Sequence, residues 1–265
     1  MKKSRISDYK GPDQEKHKPL DRTPTKRLIE AAQDADDPLD EICVRVPLST
    51  GLRVGELVHL RPRYVGRNYS DEFEEVTWYV EIPPFIDCIG GTGETGKGNA
   101  DGADLHNSKG KPCYSCRNRA VENKDWLTEK QKQQPGFSPK NFTSIEQYQW
   151  FFPGRHELGK KLKSILDAHG QFPIQPTSVN HRIRKVAQRA GLDDVRSITD
   201  SGKINITAHA LRHTYGCKLG AHRDFNINSI MTFMRHATPS MAIWYSDQWG
   251  ERRRAKIAEF EDEFS

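Results

Sequence analysis

The chain has no run of about 18 apolar residues, the length that a membrane-crossing helix requires, so no segment reads as a membrane span. Its first residues, "MKKSRISDYKGPDQEKHKPLDRT", begin basic but lack the apolar centre of a secretory signal. These absences predict a cytoplasmic protein without membrane attachment. Cysteine is scarce: five in 265 residues, an odd number, which argues against a disulfide framework. A strong excess of either charge is missing too. Lys and Arg total 41 against 36 Asp and Glu, a balance that permits nucleic-acid binding without requiring it. The sequence has no GxxxxGK[ST] loop and no Asp/Glu set at an evident metal spacing. Nothing therefore points to a nucleotide site or a carboxylate-bound catalytic metal.

What is present is enough chain for one sizeable core or two small ones. Residues 1–22 are polar, charged and aperiodic, and read as a flexible basic arm. Thr23-Pro24 predicts a helix start with Thr23 as N-cap. Asp37-Pro38 repeats the signal for a second helix carrying Leu39, Ile42 and Val46. "STGLRVGELVHL" turns through Gly51 into a short helix bearing Leu57 and Leu60. Residues 76–85 read as a strand, and 86–136 interrupt the pattern with Gly, Asn, Asp, Lys and three cysteines. "FSPKNFTSIEQYQWFFP" reads as a turn followed by a strand. Leu158, Leu162, Ile165 and Leu166 have helical spacing, and Gly170 suits the residue just past that helix. The next helix buries Val179, Ile183, Val186 and Ala190, with Arg182, Lys185 and Arg189 on its opposite face and Arg184 among them. Solvation accounts for these cations, and phosphate contacts along a groove account for them equally well. Everything after "KINITAHALRHTYG" reads as helices.

Three stretches carry chemistry. In "HALRH", His209 and Arg212 lie three apart, so on a helix both reach one anionic group. Taken alone, this is an ordinary polar helix face. Arg53 follows the glycine turn and begins a helix, where its planar fork adds to the backbone donors, with Glu56 one turn later to hold it. Alone, that pair is a surface ion pair of little energetic value. "MRHATPSMAIWYSD" sets His236 and Tyr245 nine residues apart among small and apolar neighbours. Tyr215 and Tyr148 read as packing residues.

An arginine with its turn, then HxxR within "LRHT", then a histidine, then a tyrosine nine residues on, is a specific order of motifs. Over roughly residues 22–250 the sequence resembles the catalytic domain of the tyrosine recombinases, the phage integrase family. The insertion before "FSPK" resembles that of archaeal, particularly haloarchaeal, virus and plasmid integrases. The resemblance implies an α+β fold, mainly helical, with a small antiparallel sheet and a cysteine-containing insertion. It sets the catalytic domain at 23–250 and a charged tail at 251–265, either packing in trans on a neighbouring protomer or standing as a solvated helix. It makes Arg53 and Arg212 the catalytic arginines, His209 the HxxR histidine, His236 the later histidine and Tyr245 the nucleophile. The family's hairpin lysine falls on Lys140, with Lys97, Lys109 and Lys111 of the insertion as competitors.

The chemistry implied is DNA transesterification. Tyr245 attacks to form a 3′-phosphotyrosine, Arg53, Arg212 and His236 stabilise the transition state, Lys140 protonates the leaving oxygen and His209 takes the tyrosine proton. No cofactor is needed. The expected partners are double-stranded DNA attachment sites, a homotetramer on DNA (monomer or dimer when free) and accessory DNA-bending proteins. The expected activity is site-specific integration through a Holliday junction. A resolvase or type IB topoisomerase-like strand transferase, or a non-catalytic DNA-binding regulator, is the alternative. Most relatives carry a helical DNA-clamping domain ahead of this one. Only some twenty residues precede the first helix here, so the chain is either a minimal recombinase or a catalytic fragment.

Cys88 and Cys113-x-x-Cys116, with His106 between them, suit a structural zinc knuckle in the insertion, and Asp87 is the substitute for His106. Incidental reduced thiols in a flexible loop are the other reading.

Overall fold

A helix that is covered on every side belongs in the middle of a fold, and the second helix is buried along most of its length, its charged residues included. The computed structural model describes residues 15–71, 74–88, 112–113, 116, 124–141, 148–151, 154–199, 202–222, 226–236 and 238–248. Helix α1 (Arg22–Gln33) leads into α2 (Pro38–Thr50), which buries Ile42, Cys43, Val44, Val46 and Leu48 together with Asp40 and Glu41. Asp37 caps α2 by accepting the Leu39 N–H, and Gly51 ends it at φ 65°. Around α2 pack α1, α5 (His156–His169), α6 (Pro176–Arg189) and α7 (Ala208–Ala221). As expected, α5 stops at Gly170 in the left-handed region. Among the described residues, no helix is long and apolar enough to cross a membrane.

Two expectations at the N-terminus give way. Helix α1 starts at Arg22 with Asp21 at its N-cap, so Thr23 lies inside the first turn instead of capping it. Residues 15–21 are not a loose arm. A 3-10 turn at Glu15–His17 packs on α7, the Glu15 carboxylate accepts the Ser197 N–H, and buried Leu20 donates its N–H to Thr214 Oγ1 at 2.8 Å. One buried leucine plus long-range hydrogen bonds hold this segment. It has no periodicity for a sequence reading to detect. Residues 1–14 and the tail from 249 onward lie outside the described residues.

The sheet contains β1 (Val65–Ser70), β2 (Glu75–Glu81) and β5 (Tyr148–Trp150), antiparallel, with β2 in the centre. Val65 pairs with Val80 and Tyr79 with Trp150. Strand β1, "VGRNYS", was not anticipated, because it offers one buried valine and a largely exposed Tyr69 where a strand signal needs alternating apolar residues. The strand expected at 76–85 ends at Glu81, just before Pro83-Pro84, which cannot donate to a ladder. The chain then forms a two-stranded ladder of β3 (Ile86–Asp87) and β4 (Gly136–Phe137), preceded by α4 (Glu129–Gln133). That ladder closes the base of the inserted segment.

A second, smaller apolar cluster joins α7 to α8 (Ile227–Met234) and α9 (Pro239–Gln248), through Tyr215, Leu219, Ile230, Met234, Ala242, Trp244 and Tyr245. Helix α7 therefore spans two cores. Gly216 lets α9 approach it closely, since a Cβ there would lie 2.6 Å from Cζ of Tyr245.

Candidate active site

The site is assembled from three chain corners. At the first, Gly51 takes a left-handed turn in which an added Cβ would strike the Tyr215 ring at 2.4 Å, so glycine is required. The turn delivers Arg53 to the N-cap of α3 (Val54–Leu57). Glu56 Oε2 accepts the Arg53 backbone N–H at 2.6 Å, and Oε1 accepts Arg53 Nη1 at 3.1 Å. The second corner is the start of α7, which carries His209, Arg212 and His213. Arg212 is only 2% exposed, and its guanidinium donates to Gly51 O and Met234 O. The third corner is the end of α8. Arg235 adopts φ 47°, a conformation costing a non-glycine residue roughly 1–2 kcal/mol. Its side chain donates to Glu56 Oε2, and its carbonyl accepts from Arg53 Nη2 (3.3 Å) and Asn141 Nδ2 (3.2 Å). Both arginines named by the sequence are thus tied to the backbone at 234–235, next to His236.

Three guanidinium groups (Arg53, Arg212 and Arg235) share one carboxylate, Glu56, leaving a local excess of two positive charges. Burial by itself would raise the Glu56 carboxyl, but Arg235, Arg53 and Arg212 override it and hold it below its ordinary value. Burial, with Arg53 and Arg235 nearby, pushes Arg212 down to about 9. Nε and Nη1 of Arg235 are buried without hydrogen-bond partners. Packed cations that repel one another and keep unused donors favour an anion.

Beside this cluster opens a cleft of about 310 Å³, lined by Arg53, Gly55, Phe137, Lys140, His209 and Arg212 among others. Lys140 is exposed and follows β4 by three residues. Tyr245 lies behind Arg212 and His213, 0% exposed, its hydroxyl 2.7 Å from His213 Nδ1 and its ring nearly parallel to His236 at 5.7 Å. The His209 ring meets His213 edge-on at 4.4 Å and His17 at 5.1 Å. Burial first, then neighbouring positive groups, lowers His213 to about 3 and His236 to about 2. The same causes push His209 to about 4, although its edge open to solvent moderates that shift. These imidazoles are neutral at pH 7, so each keeps a lone pair free of a proton.

Arg53, Lys140, His209 and Arg212 come together on one cleft, with Glu56 beneath and His236 and Tyr245 alongside. The phenol's partner here is His213, not His209 as expected, because His213 lies one turn further along α7 and faces α9. His213 had one available signal, the i, i+4 spacing from His209. Arg235, Asn141 and His17 had none, since each enters through tertiary folding. On α6, Arg182 pairs with Asp37 and Asp40, Arg189 pairs with Asp40 at 2.9 Å, and Lys185 lies 3.5 Å from Asp40. Asp40 is fully buried, so these cations compensate a core charge, and the expected free phosphate-binding stripe is not what the structure displays. Arg184 leaves its Nε without a hydrogen-bond partner. Lys97, Lys109, Lys111 and His106 lie outside the described residues. Around the cysteines, among the described residues, the imidazole that joins Cys88, Cys113 and Cys116 is His59.

No protein-family model matches the chain, and a search of curated proteins finds no match. Solved structures do match. The Tn1549 transposon integrase (residues 82–397), in complex with circular intermediate DNA, aligns with TM-score 0.51 at 15% identity, over 94% of this chain and 68% of that one. The XerH site-specific recombinase, bound to a palindromic difH substrate, aligns with TM-score 0.51 at 11% identity, over 93% of this chain and 54% of that one. XerA recombinase aligns with TM-score 0.49 at 19% identity, over 94% and 66%. The chain thus spans between about half and two thirds of the length of these proteins. At such identities the likeness concerns the fold alone, and it agrees with the helical layers and the small antiparallel sheet described above: the chain has the fold of a tyrosine recombinase catalytic domain.

Proposed function

We propose that the protein is a site-specific DNA recombinase that cuts and rejoins strands through Tyr245. The observation that carries this reading is the convergence of Arg53 and Arg212 on one cleft, with uncompensated positive charge and a tyrosine directly behind it. A DNA phosphodiester in the cleft supplies the missing negative charge. The tyrosine oxygen forms a bond to phosphorus as the bond to the 5′-oxygen breaks. The phenol proton passes to the histidine pair His213/His209, and Lys140 protonates the departing 5′-oxygen. The product is a 3′-phosphotyrosine with a free 5′-hydroxyl, and attack by a 5′-hydroxyl of a partner strand reverses the step. Arg53, Arg212 and His236 hold the equatorial oxygens; each such donor is worth on the order of 10²–10³ in rate.

The phenol is held away from solvent in this structure, so α9 must release it from His213 before attack. That release breaks a hydrogen bond worth about 1 kcal/mol and uncovers an aromatic ring. Seating of DNA against the arginines, within a tetramer spanning two attachment sites, is the event that drives it. Integration with exchange through a Holliday junction is the activity this arrangement serves.

Nicked suicide DNA duplexes test the reading, because the short fragment that carries the free 5′-hydroxyl diffuses away and leaves the covalent adduct trapped. An adduct with the protein that disappears in Tyr245→Phe, with DNA binding retained, is the expected result. Binding to candidate sites without any adduct, or an adduct that survives Tyr245→Phe, would overturn it.

A further inference from the structure

His59 stands on the turn just after α3, six residues beyond Arg53. Its Nδ1 lies 2.6 Å from the Gly55 carbonyl oxygen, which only accepts, so Nδ1 carries the proton and Nε2 presents a lone pair. That lone pair faces Cys116 Sγ at 3.2 Å and Cys113 Sγ at 3.8 Å. Cys88 completes the group, and all four ligand atoms lie within 4.8 Å of one another. Zinc at its usual bond lengths to sulfur and nitrogen sets tetrahedral S···N edges of about 3.6 Å, between the two observed values. The backbone supports the same geometry. The Cys113 N–H donates to Cys88 Sγ at 3.2 Å, and the Cys113–Cys116 turn is closed by a 3.1 Å bond. Such N–H···S contacts and the Gly55–His59 bond are the outer contacts that orient metal ligands.

We propose that His59, Cys88, Cys113 and Cys116 bind one Zn²⁺, which fastens the inserted segment to the helix that begins at Arg53. Cys88 follows β3 directly, and β3 pairs with β4. The imidazole of His59 stacks on Phe137 of β4 at 4.6 Å, and Phe137 lines the cleft together with Lys140. Metal binding therefore fixes the register of the strand leading to Lys140, with Lys124 donating to the Ser138 and Pro139 carbonyls from the other side. The ion is structural, and the fourth ligand comes from the catalytic domain itself, outside the insertion.

The test uses the full chain and reads no DNA chemistry, so it succeeds or fails independently of the recombinase reading. Elemental analysis of the purified protein is expected to give one zinc per chain. Replacement by Co²⁺ is expected to give intense visible bands of a tetrahedral site with thiolate charge transfer. His59→Cys keeps the ion and raises that charge transfer by about one third, from three thiolates to four. His59→Ala weakens zinc binding by more than the 10–100-fold typical of losing an outer contact, while His106→Ala leaves it unchanged. Absence of bound zinc, a weak octahedral Co²⁺ spectrum, or loss of binding with His106→Ala in place of His59→Ala would each overturn the assignment.

Discussion

Glu56→Gln isolates the electrostatic logic of the site. The carboxylate is buried and accepts from Arg53 N, Arg53 Nη1 and Arg235 Nη2. An amide keeps the shape but loses both ion pairs, and it turns one acceptor into a donor facing a guanidinium. Removing one partner of a buried ion pair costs about 3–5 kcal/mol; Arg53 is partly solvated, which places the expected loss nearer 3–4 kcal/mol. At 2–4 °C per kcal/mol, the thermal midpoint falls by about 6–16 °C. The local charge excess rises from two to three, so an oxyanion binds the variant more tightly. Each tenfold gain in anion affinity returns about 1.4 kcal/mol, or roughly 3–6 °C. The assay is thermal unfolding followed by circular dichroism, in sodium sulfate and in sodium chloride of matched ionic strength. The reasoning is refuted by a midpoint shift under about 2 °C, or by sulfate stabilising wild type and variant equally.

Acid sensitivity follows from the histidines. His213 and His236 are held near 3 and 2 against a usual 6.5, so the unfolded chain takes up protons first as pH falls below about 6.5. Stability is expected to be level above about pH 7 and to decline below it by up to ~1.4 kcal/mol per pH unit for each histidine. Glu56, held low, adds to that loss below its usual 4.5. Urea unfolding across this range measures the slope, and a flat profile between about pH 7 and 5 contradicts the histidine assignment. Lys140→Ala is expected to slow cleavage of an ordinary phosphodiester by about 10²–10⁴. A substrate with a 5′-bridging sulfur should be cut at nearly the wild-type rate, because a thiolate leaves without a proton; equal defects on both substrates remove Lys140 from the acid role. Gly216→Ala puts a methyl group against the Tyr245 ring and is expected to cost about 1–3 kcal/mol and expose the phenol. Spectrophotometric tyrosine titration reads the exposure, and an unchanged titration counts against the α7–α9 contact as the lock.

The signals legible along the chain were local ones. Asp37-Pro38 capping α2, Gly51 turning before Arg53, Gly170 ending α5 and the HxxR spacing on α7 all act within a few residues, where capping and periodicity are strong. The order of the motifs was enough to indicate the fold. Tertiary structure alone decided where distant groups meet. Strand β1 exists because β2 offers it a register, not because "VGRNYS" prefers one. The cations of α6 turn to Asp40 because a buried carboxylate must be paired. His59 joins the cysteines because the β3–β4 ladder brings Cys88 to the end of α3. Tyr245 is legible as a special tyrosine from its spacing to His236, but its burial against His213 is set by Gly216 and Gly220 of α7, where an added Cβ would collide with the Tyr245 ring and backbone. Spacing along a chain places side chains on a common face; only packing determines which faces touch.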